Sequence, residues 1–318
     1  MAVPGEVGPD ESIVYKMLGP LVPVHTLCTL LLGMRLYTHI RPVRNLGLDD
    51  AAAVLAMIAT TTQIALFFAA IPYGVGRHNI YIPHDDQVRA SRLLFISQLP
   101  WSWGVALGKI SIALLLLRLK SGRGWKFFLY AMVAVQLASA TAANIAQLVR
   151  CRPISAAWDF NTETSRCQSP RMIHISAYTN ASIAVLTDVI LAAIPLTFLR
   201  HIRRSPRERL VIAFLFGLGL AATAAASVKL TLIGSYGQTG DMLWDCVGLV
   251  TWSILEAQIG IIAACVPCLK SPLHSALRRV GWLSESSGHG RVGFAEAFRI
   301  GDSTLEDKDT TDASHHWR

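Results

Sequence analysis

Charge is what this sequence has least of. Only 16% of its 318 residues are Asp, Glu, Lys or Arg, while 52% are hydrophobic. Ordinary soluble domains carry about 25% charged residues. A water-facing globular domain is therefore excluded, and an integral membrane protein is indicated. The six cysteines are too few and too scattered for a disulfide scaffold. The opening segment, MAVPGEVGPDESIVYK, is acidic before its first Lys. It lacks the basic start and short apolar core of a cleavable signal peptide, so the first membrane helix is expected to act as the targeting signal. No internal repeat is evident, which leaves an inverted-repeat transporter without direct support. No nucleophile elbow or comparable Ser-His-Asp constellation is present. The net charge of +8 is not gathered into a basic groove with interleaved aromatics, which excludes a nucleic-acid partner.

Long apolar runs are abundant. Seven stretches, near 15–38, 48–72, 92–118, 126–149, 173–199, 208–233 and 245–268, approach the ~20 residues that cross a hydrocarbon core. They predict an all-α bundle of seven transmembrane helices. The first contains Pro20 and Pro23 and is the most open to a kink. Fifteen Lys and Arg, Arg35, Arg118 and Lys270 among them, flank the spans on one side, against eight on the other. Cytosolic loops carry the excess of such residues, which places the N-terminus outside and the C-terminus in the cytosol. Residues 1–14 then form a short outer segment, 15–272 the membrane domain and 273–318 a cytosolic tail. A short amphipathic helix is expected from Leu273 to Trp282. Beyond it Gly, Ser, Asp and Thr dominate without apolar periodicity, and the tail is expected to be mostly disordered. The bilayer partner is the plasma membrane or an endomembrane of the secretory pathway.

Cys151 and Cys167 share one outer loop, on the oxidising side of the membrane, and are expected to form a disulfide. Closing that loop would contribute ~3 kcal/mol in the chain-entropy model. Cys28, Cys265 and Cys268 lie within spans and read as small apolar fillers. Cys246 sits near an outer helix end, where it is open to oxidation. The first outer loop, YGVGRHNIYIPHDDQVR, offers His78, His84, Asp85 and Asp86. Their types suit a metal, but their spacing matches no fixed ligand pattern. A solvated, turn-rich loop without a metal is expected.

Four ionisable residues fall well inside spans: Lys109, Asp188, Lys229 and Glu256. A charge at mid-bilayer costs about 2.5–3.5 kcal/mol on insertion scales, so each needs a partner or a use. At a helical rise of ~1.5 Å per residue, Lys109, Asp188 and Glu256 lie roughly 14, 16 and 18 Å from the cytosolic ends of their spans. Lys229 lies roughly 30 Å up, where its stem would snorkel to the outer interface. One Lys cannot neutralise two carboxylates. Either one acid is protonated, or another cation joins them. Trp252, Glu256, Gly260 and Ala264 repeat at helical spacing, as do Asn180, Ala184, Asp188 and Ala192. Gly217, Ala221, Ala225 and Lys229 form a small-residue stripe that suits close helix approach. Asp188 and Glu256 are the candidate acid/base or ion-coupling groups. Lys109, Trp101, Trp252 and Asn180 are the candidate binding residues, with Trp101, Trp103 and Trp252 able to shape a pocket or stabilise a cation. The alternative role for the same ions is a clamp that fixes the packing.

In several places the chain resembles the fungal rhodopsin-domain family of integral membrane proteins. These are YGVGRH after the second span, GKISIALLLLRL ending the third, and CRP with WD and a second Cys after the fourth. Asp188 with Pro195, and WSILEAQIGIIAACVPCLKSP across the seventh, complete the set. The likeness covers about 15–272. It implies a membrane protein of a fungal secondary-metabolite cluster of the satratoxin type. Other members look like receptors that carry a cysteine-rich module before the first span; this chain has no cysteine before Cys28. Within the implied setting, two uses of the carboxylates compete. One is a membrane enzyme, for example a cyclase with a buried carboxylic acid, acting on an apolar small molecule. The other is a transporter that couples to an ion. A receptor-like sensor signalling to the cytosol is the alternative class. No cofactor is expected, because a retinal Schiff base needs an amine in the pocket and the seventh span has no Lys before Lys270.

The topology makes a testable statement. A tag fused at the C-terminus should be protected in sealed vesicles of cytosol-inside orientation, and one at the N-terminus should be cleaved by added protease. Cleavage of the C-terminal tag from outside would contradict the seven-span orientation.

Overall fold

The computed structural model describes residues 10–40, 46–119, 122–159, 166–199, 206–235 and 240–269. The predicted amphipathic helix after Leu273 and the tail lie outside the described residues. Each apolar run forms a helix, because backbone polar groups in lipid must be satisfied within the segment. The helices are α1 (Val14–Ile40), α2 (Leu48–Ala70), α3 (His84–Leu119), α4 (Arg123–Leu148), α5 (Pro170–Leu199), α6 (Pro206–Ser235) and α7 (Met242–Cys265). All seven contain windows long and apolar enough to cross a membrane. The chain is an all-α, seven-helix, multi-pass integral membrane protein. Pro20 and Pro23 lie within α1 and Pro100 within α3, and both helices run on through them.

Helix α7 is the hub. It packs against α1, α2, α3 and α6, while α5 packs chiefly on α6 and α4 on α3. At one end, Phe67, Leu94, Leu243 and Ile254 form a buried apolar cluster. Toward the other end, Cys28, Ala56, Ile261 and Cys265 form a second. Leu116, Leu129 and Leu191 join α3, α4 and α5 in a third.

The small-residue stripe on α6 is shifted from the one read in the sequence. Gly217 and Ala221 are exposed, and the buried face is Ala222, Ala225, Ala226 and Lys229. The close approach falls on Gly219, where a Cβ would collide with the Cβ of Ala192 on α5. The stripe read at every fourth residue from Gly217 therefore meets the packed face only in its second half, at Ala225 and Lys229.

The loops at the first end are ordered by turns and polar ties. Cys151 and Cys167 are joined in a disulfide, at the base of a two-stranded ribbon, β1 (Cys151–Arg152) and β2 (Arg166–Cys167). Between α2 and α3, Gly74 and Gly76 adopt φ of 96° and 82°, a left-handed conformation that favours glycine. Gly76 N–H donates to Leu243 O, and Ile13 N–H donates to Gly76 O, so this loop links α1 to α7. The Arg77 guanidinium hydrogen-bonds the Asp10 carboxylate and holds it below the ordinary carboxylate range. The HDD segment is helical rather than loop. His84, Asp85 and Asp86 form the first turn of α3, where acidic side chains complement the helix dipole. His78 does not gather with His84. It pairs with Asp241 at 3.1 Å and stacks on Trp244. Cys246 is buried and its thiol donates to Leu243 O, so it is shielded from the oxidation its position suggested.

The α5–α6 contact predicts a contrast. Gly219→Val should lower thermal stability in detergent by about 1–3 kcal/mol through overpacking. Gly217→Val, where nothing lies within 4 Å of the added Cβ, should leave the melting curve near that of the parent. Equal loss in both would show that helix propensity, not the Ala192 contact, governs the site.

Candidate functional site

The four intramembrane ions pair two by two. Lys109 on α3 meets Asp188 on α5 at 3.0 Å. Its ammonium also donates to Ala184 O at 2.9 Å and Thr187 Oγ1 at 3.2 Å, which uses all three of its hydrogens. Lys229 on α6 forms an ion pair and hydrogen bond with Glu256 on α7. The Lys229 ammonium also lies 4.5 Å from the centroid of the Trp101 ring, a cation–π distance. The Trp101 indole N–H donates to Ser253 O at 3.1 Å, which fixes the ring. All four ions are buried, with 3–7% of their surface exposed.

Two expectations are corrected here. Lys229 is not at the outer interface, and Glu256 takes Lys229 rather than Lys109 as its partner. The reason is side-chain direction. A helical side chain leans toward the N-terminus of its own helix. Helices α6 and α7 run antiparallel, so Lys229 and Glu256 lean toward each other along the bundle axis. Counting Cα rise alone separated them. Helices α3 and α5 run parallel, so Lys109 and Asp188 lean the same way and stay in the one layer that counting gave. The second cation needed by two carboxylates is Lys229.

Neither pair is complete. Asp188 Oδ2 and Glu256 Oε1 are buried and have no hydrogen-bond partner among the described residues. A buried carboxylate oxygen left without a donor is costly, and it is an acceptor for any donor that reaches the layer. Of the other candidates, Trp101 lies against the Lys229–Glu256 pair. Asn180 lies apart from it: it accepts from Ser139 on α4 at 2.9 Å, two helical turns along α5 from Asp188. Trp103 and Trp252 are half-buried. Ala257 and Gln258, beside Glu256, are buried, so α7 presents a broad inward face.

A second ionic network was missed by the sequence reading, which counted Arg35 and Arg118 among the flanking charges. Arg35 on α1 is fully buried. It donates to Asp49 at 2.7 Å and Asp50 at 2.8 Å, both at the start of α2, and also to the Ala264 carbonyl on α7. Arg118 on α3 reaches Asp49 at 2.9 Å, and His39 Nδ1 lies 2.8 Å from Asp50. The Ser111 hydroxyl donates to Asp49 O at 2.7 Å. This network ties α1, α2, α3 and α7 at the end opposite the disulfide. His39, Asp49 and Asp50 are close enough to share a metal, but the Arg35 guanidinium already supplies the cation between the two carboxylates. The available signal was the pair of acids opening an apolar helix, LDDAAAV, with one Arg inside LLGMRLY.

Pairing can be tested through stability. Lys229→Met leaves Glu256 buried without its cation, and breaking such a pair costs about 3–5 kcal/mol. The protein should melt earlier in detergent and reach the membrane in lower yield. Adding Glu256→Met to the same chain should restore much of the loss. A double variant as unstable as the single one would contradict the pairing.

The matched relatives bear on the setting of this site. A family model described as the fungal rhodopsin domain matches residues 34–275. Fugralins biosynthesis cluster protein 2 of Gibberella zeae is 30% identical over 135 residues, 42% of this chain and 33% of that protein. Polyenoic acids biosynthesis gene cluster protein Ba17b of Metarhizium anisopliae is 23% identical over 286 residues, 84% of this chain and 77% of that protein. Receptor GIN3 of Arthrobotrys oligospora is 21% identical over 265 residues, 79% of this chain and 61% of that protein. The matched part of this chain thus spans a third of the first relative and about three quarters of the second. No solved structure matches. The family match takes in both lysine–carboxylate pairs and the Arg35 network, and this chain belongs to the fungal rhodopsin domain family.

Proposed function

We propose that this chain handles an apolar small molecule of a fungal secondary-metabolite pathway at its buried lysine–carboxylate layer, for conversion or for passage. One observation carries the reading: each pair leaves a carboxylate oxygen, Asp188 Oδ2 and Glu256 Oε1, buried and without a donor among the described residues. A molecule with an apolar body and a hydroxyl would supply that donor. Two relatives named for biosynthesis clusters support the metabolic setting.

A ligand that draws Lys229 toward itself would free the Glu256 carboxyl for acid/base work on an apolar substrate, and Trp101 then faces the place where positive charge develops and stabilises it. A transporter would use the same carboxyl to couple its movement to an ion. The receptor reading is kept because of the likeness to receptor GIN3; in it, ligand occupancy would change the pairing without chemistry.

Deletion of the gene, followed by untargeted metabolite profiling of cells and medium, separates these uses. Accumulation of one late intermediate indicates conversion. Retention of finished product in the cells indicates passage. Unchanged metabolites with changed transcription would overturn the proposal in favour of the sensor. Complementation should then be attempted with Glu256→Gln, and with Lys229→Met/Glu256→Met, quantifying membrane protein in parallel. The double variant should fail to restore the metabolite at near-normal protein abundance, and Glu256→Gln, which leaves Lys229 without its partner, should fail with its abundance lowered as well. Full restoration by either would return the layer to a packing role.

A further inference from the structure

We infer that Gln136 on α4 is a positioning residue of the ion-pair layer: a second, neutral partner that holds Asp188 when a ligand draws Lys109 out of the pair. The inference rests on the proposed use of this layer for a small molecule, and it makes Lys109 the member of the pair that moves.

Register sets Gln136 beside the pair. The buried face of α4 is Leu129, Met132, Gln136 and Ala140. On one side of Gln136, Asn144 Nδ2 donates to Ser102 Oγ of α3 at 2.6 Å, and Ser139 Oγ donates to Asn180 Oδ1 of α5 at 2.9 Å. On the other side, Leu129 and Met132 share a cluster with Ala113 and Leu116 of α3 and with Leu191 and Ile194 of α5. Helix α4 therefore runs antiparallel to both neighbours. Equal steps along the three helices from these contacts bring Gln136 level with Lys109 on α3 and with Ala184 on α5. Asp188 lies about one turn further along α5. Side chains lean toward the N-terminus of their own helix, so the Gln136 amide and the Asp188 carboxyl lean toward each other and close that turn.

The chemistry is complementary. Gln136 is buried, and its Nε2 has no partner among the described residues. Asp188 Oδ2 is a buried acceptor in the same position. A side-chain amide brings two hydrogens and no charge. Lys109 meanwhile spends its hydrogens on Asp188 Oδ1, Ala184 O and Thr187 Oγ1. If its ammonium turns to a ligand, the Asp188 carboxyl loses its only donor in the layer, which is costly in a buried site. Rotation about the Gln136 side-chain bonds supplies a replacement. The pair can then open without stranding its carboxyl, and Lys109 meets an acceptor on the ligand, such as a carbonyl oxygen.

A double-mutant cycle in the full chain, in detergent, tests the partnership without a ligand. Gln136→Leu alone removes a donor that has no partner in the paired state, so melting temperature and yield should stay near or above those of the parent. In a Lys109→Met chain, where Gln136 is the remaining donor, the same change should lower both further. Equal effects in the two backgrounds would overturn the inference. Lys109→Met/Gln136→Lys, which moves the cation from α3 to α4, should recover most of the loss caused by Lys109→Met. Lys109→Met/Met132→Lys, with the cation one turn away and leaning off the site, should not. Failure of the first to recover, or equal recovery by both, would also overturn it. This arm decides the matter by membrane yield if Lys109→Met does not fold. These measurements read stability alone, so they stand apart from the metabolite reading. In the deletion strain, Gln136→Leu at parental abundance should fall severalfold short in restoring the metabolite; full restoration would refute its part in opening the pair.

Discussion

Two ammonium groups buried among apolar helices constrain everything around them. Lys109 and Lys229 cannot be left in hydrocarbon alone, and neither can Asp188 and Glu256. Pairing removes most of that cost only if the helices that carry the partners hold a fixed register. Helices α3 and α5 are bound by the Lys109 bonds to Ala184, Thr187 and Asp188. Helices α6 and α7 are bound by Lys229 and Glu256. Lipid gives little hydrophobic drive for helices to associate, so such polar ties and close contacts such as Gly219 against Ala192 carry a large share of the specificity.

The Arg35 network plays the same part at the other end, but it differs in completeness. Arg35 donates to both carboxylates and to a backbone carbonyl on α7, and Arg118 adds a second cation at Asp49. The mid-bundle pairs instead retain two carboxylate oxygens without a partner among the described residues. A fully satisfied network specifies a structure, while a partly satisfied one is where a ligand or proton gains most. That contrast supports the proposed function at the middle layer and a structural role for the Arg35 cluster.

Much of this was legible in the sequence, and the failures have physical causes. The seven helices followed from apolar length alone, since lipid permits little else. The Cys151–Cys167 link followed from a shared loop that the Lys and Arg count places on the oxidising side. That the four intramembrane ions needed partners was also readable. Which ion meets which was not, because residue counting gives Cα height and ignores the opposite lean of Lys229 and Glu256 on antiparallel helices. Arg35 was hidden for another reason: near a span end, a buried Arg and a loop Arg look alike until the Asp49–Asp50 turn is placed beside it. The start of α3 was hidden by its polar first turn, HDDQ, which reads as loop by composition and as a favourable helix start by charge.

The central claim is that Glu256 is held by Lys229 while Asp188 is held by Lys109. Solid-state NMR on the lysine-¹⁵N, carboxyl-¹³C labelled chain in lipid measures this directly. The account predicts a dipolar contact from each of two buried lysine nitrogens to one carboxyl carbon, with Lys229→Met removing the Glu256 contact alone. A Glu256 carbon with no lysine nitrogen in contact would contradict it.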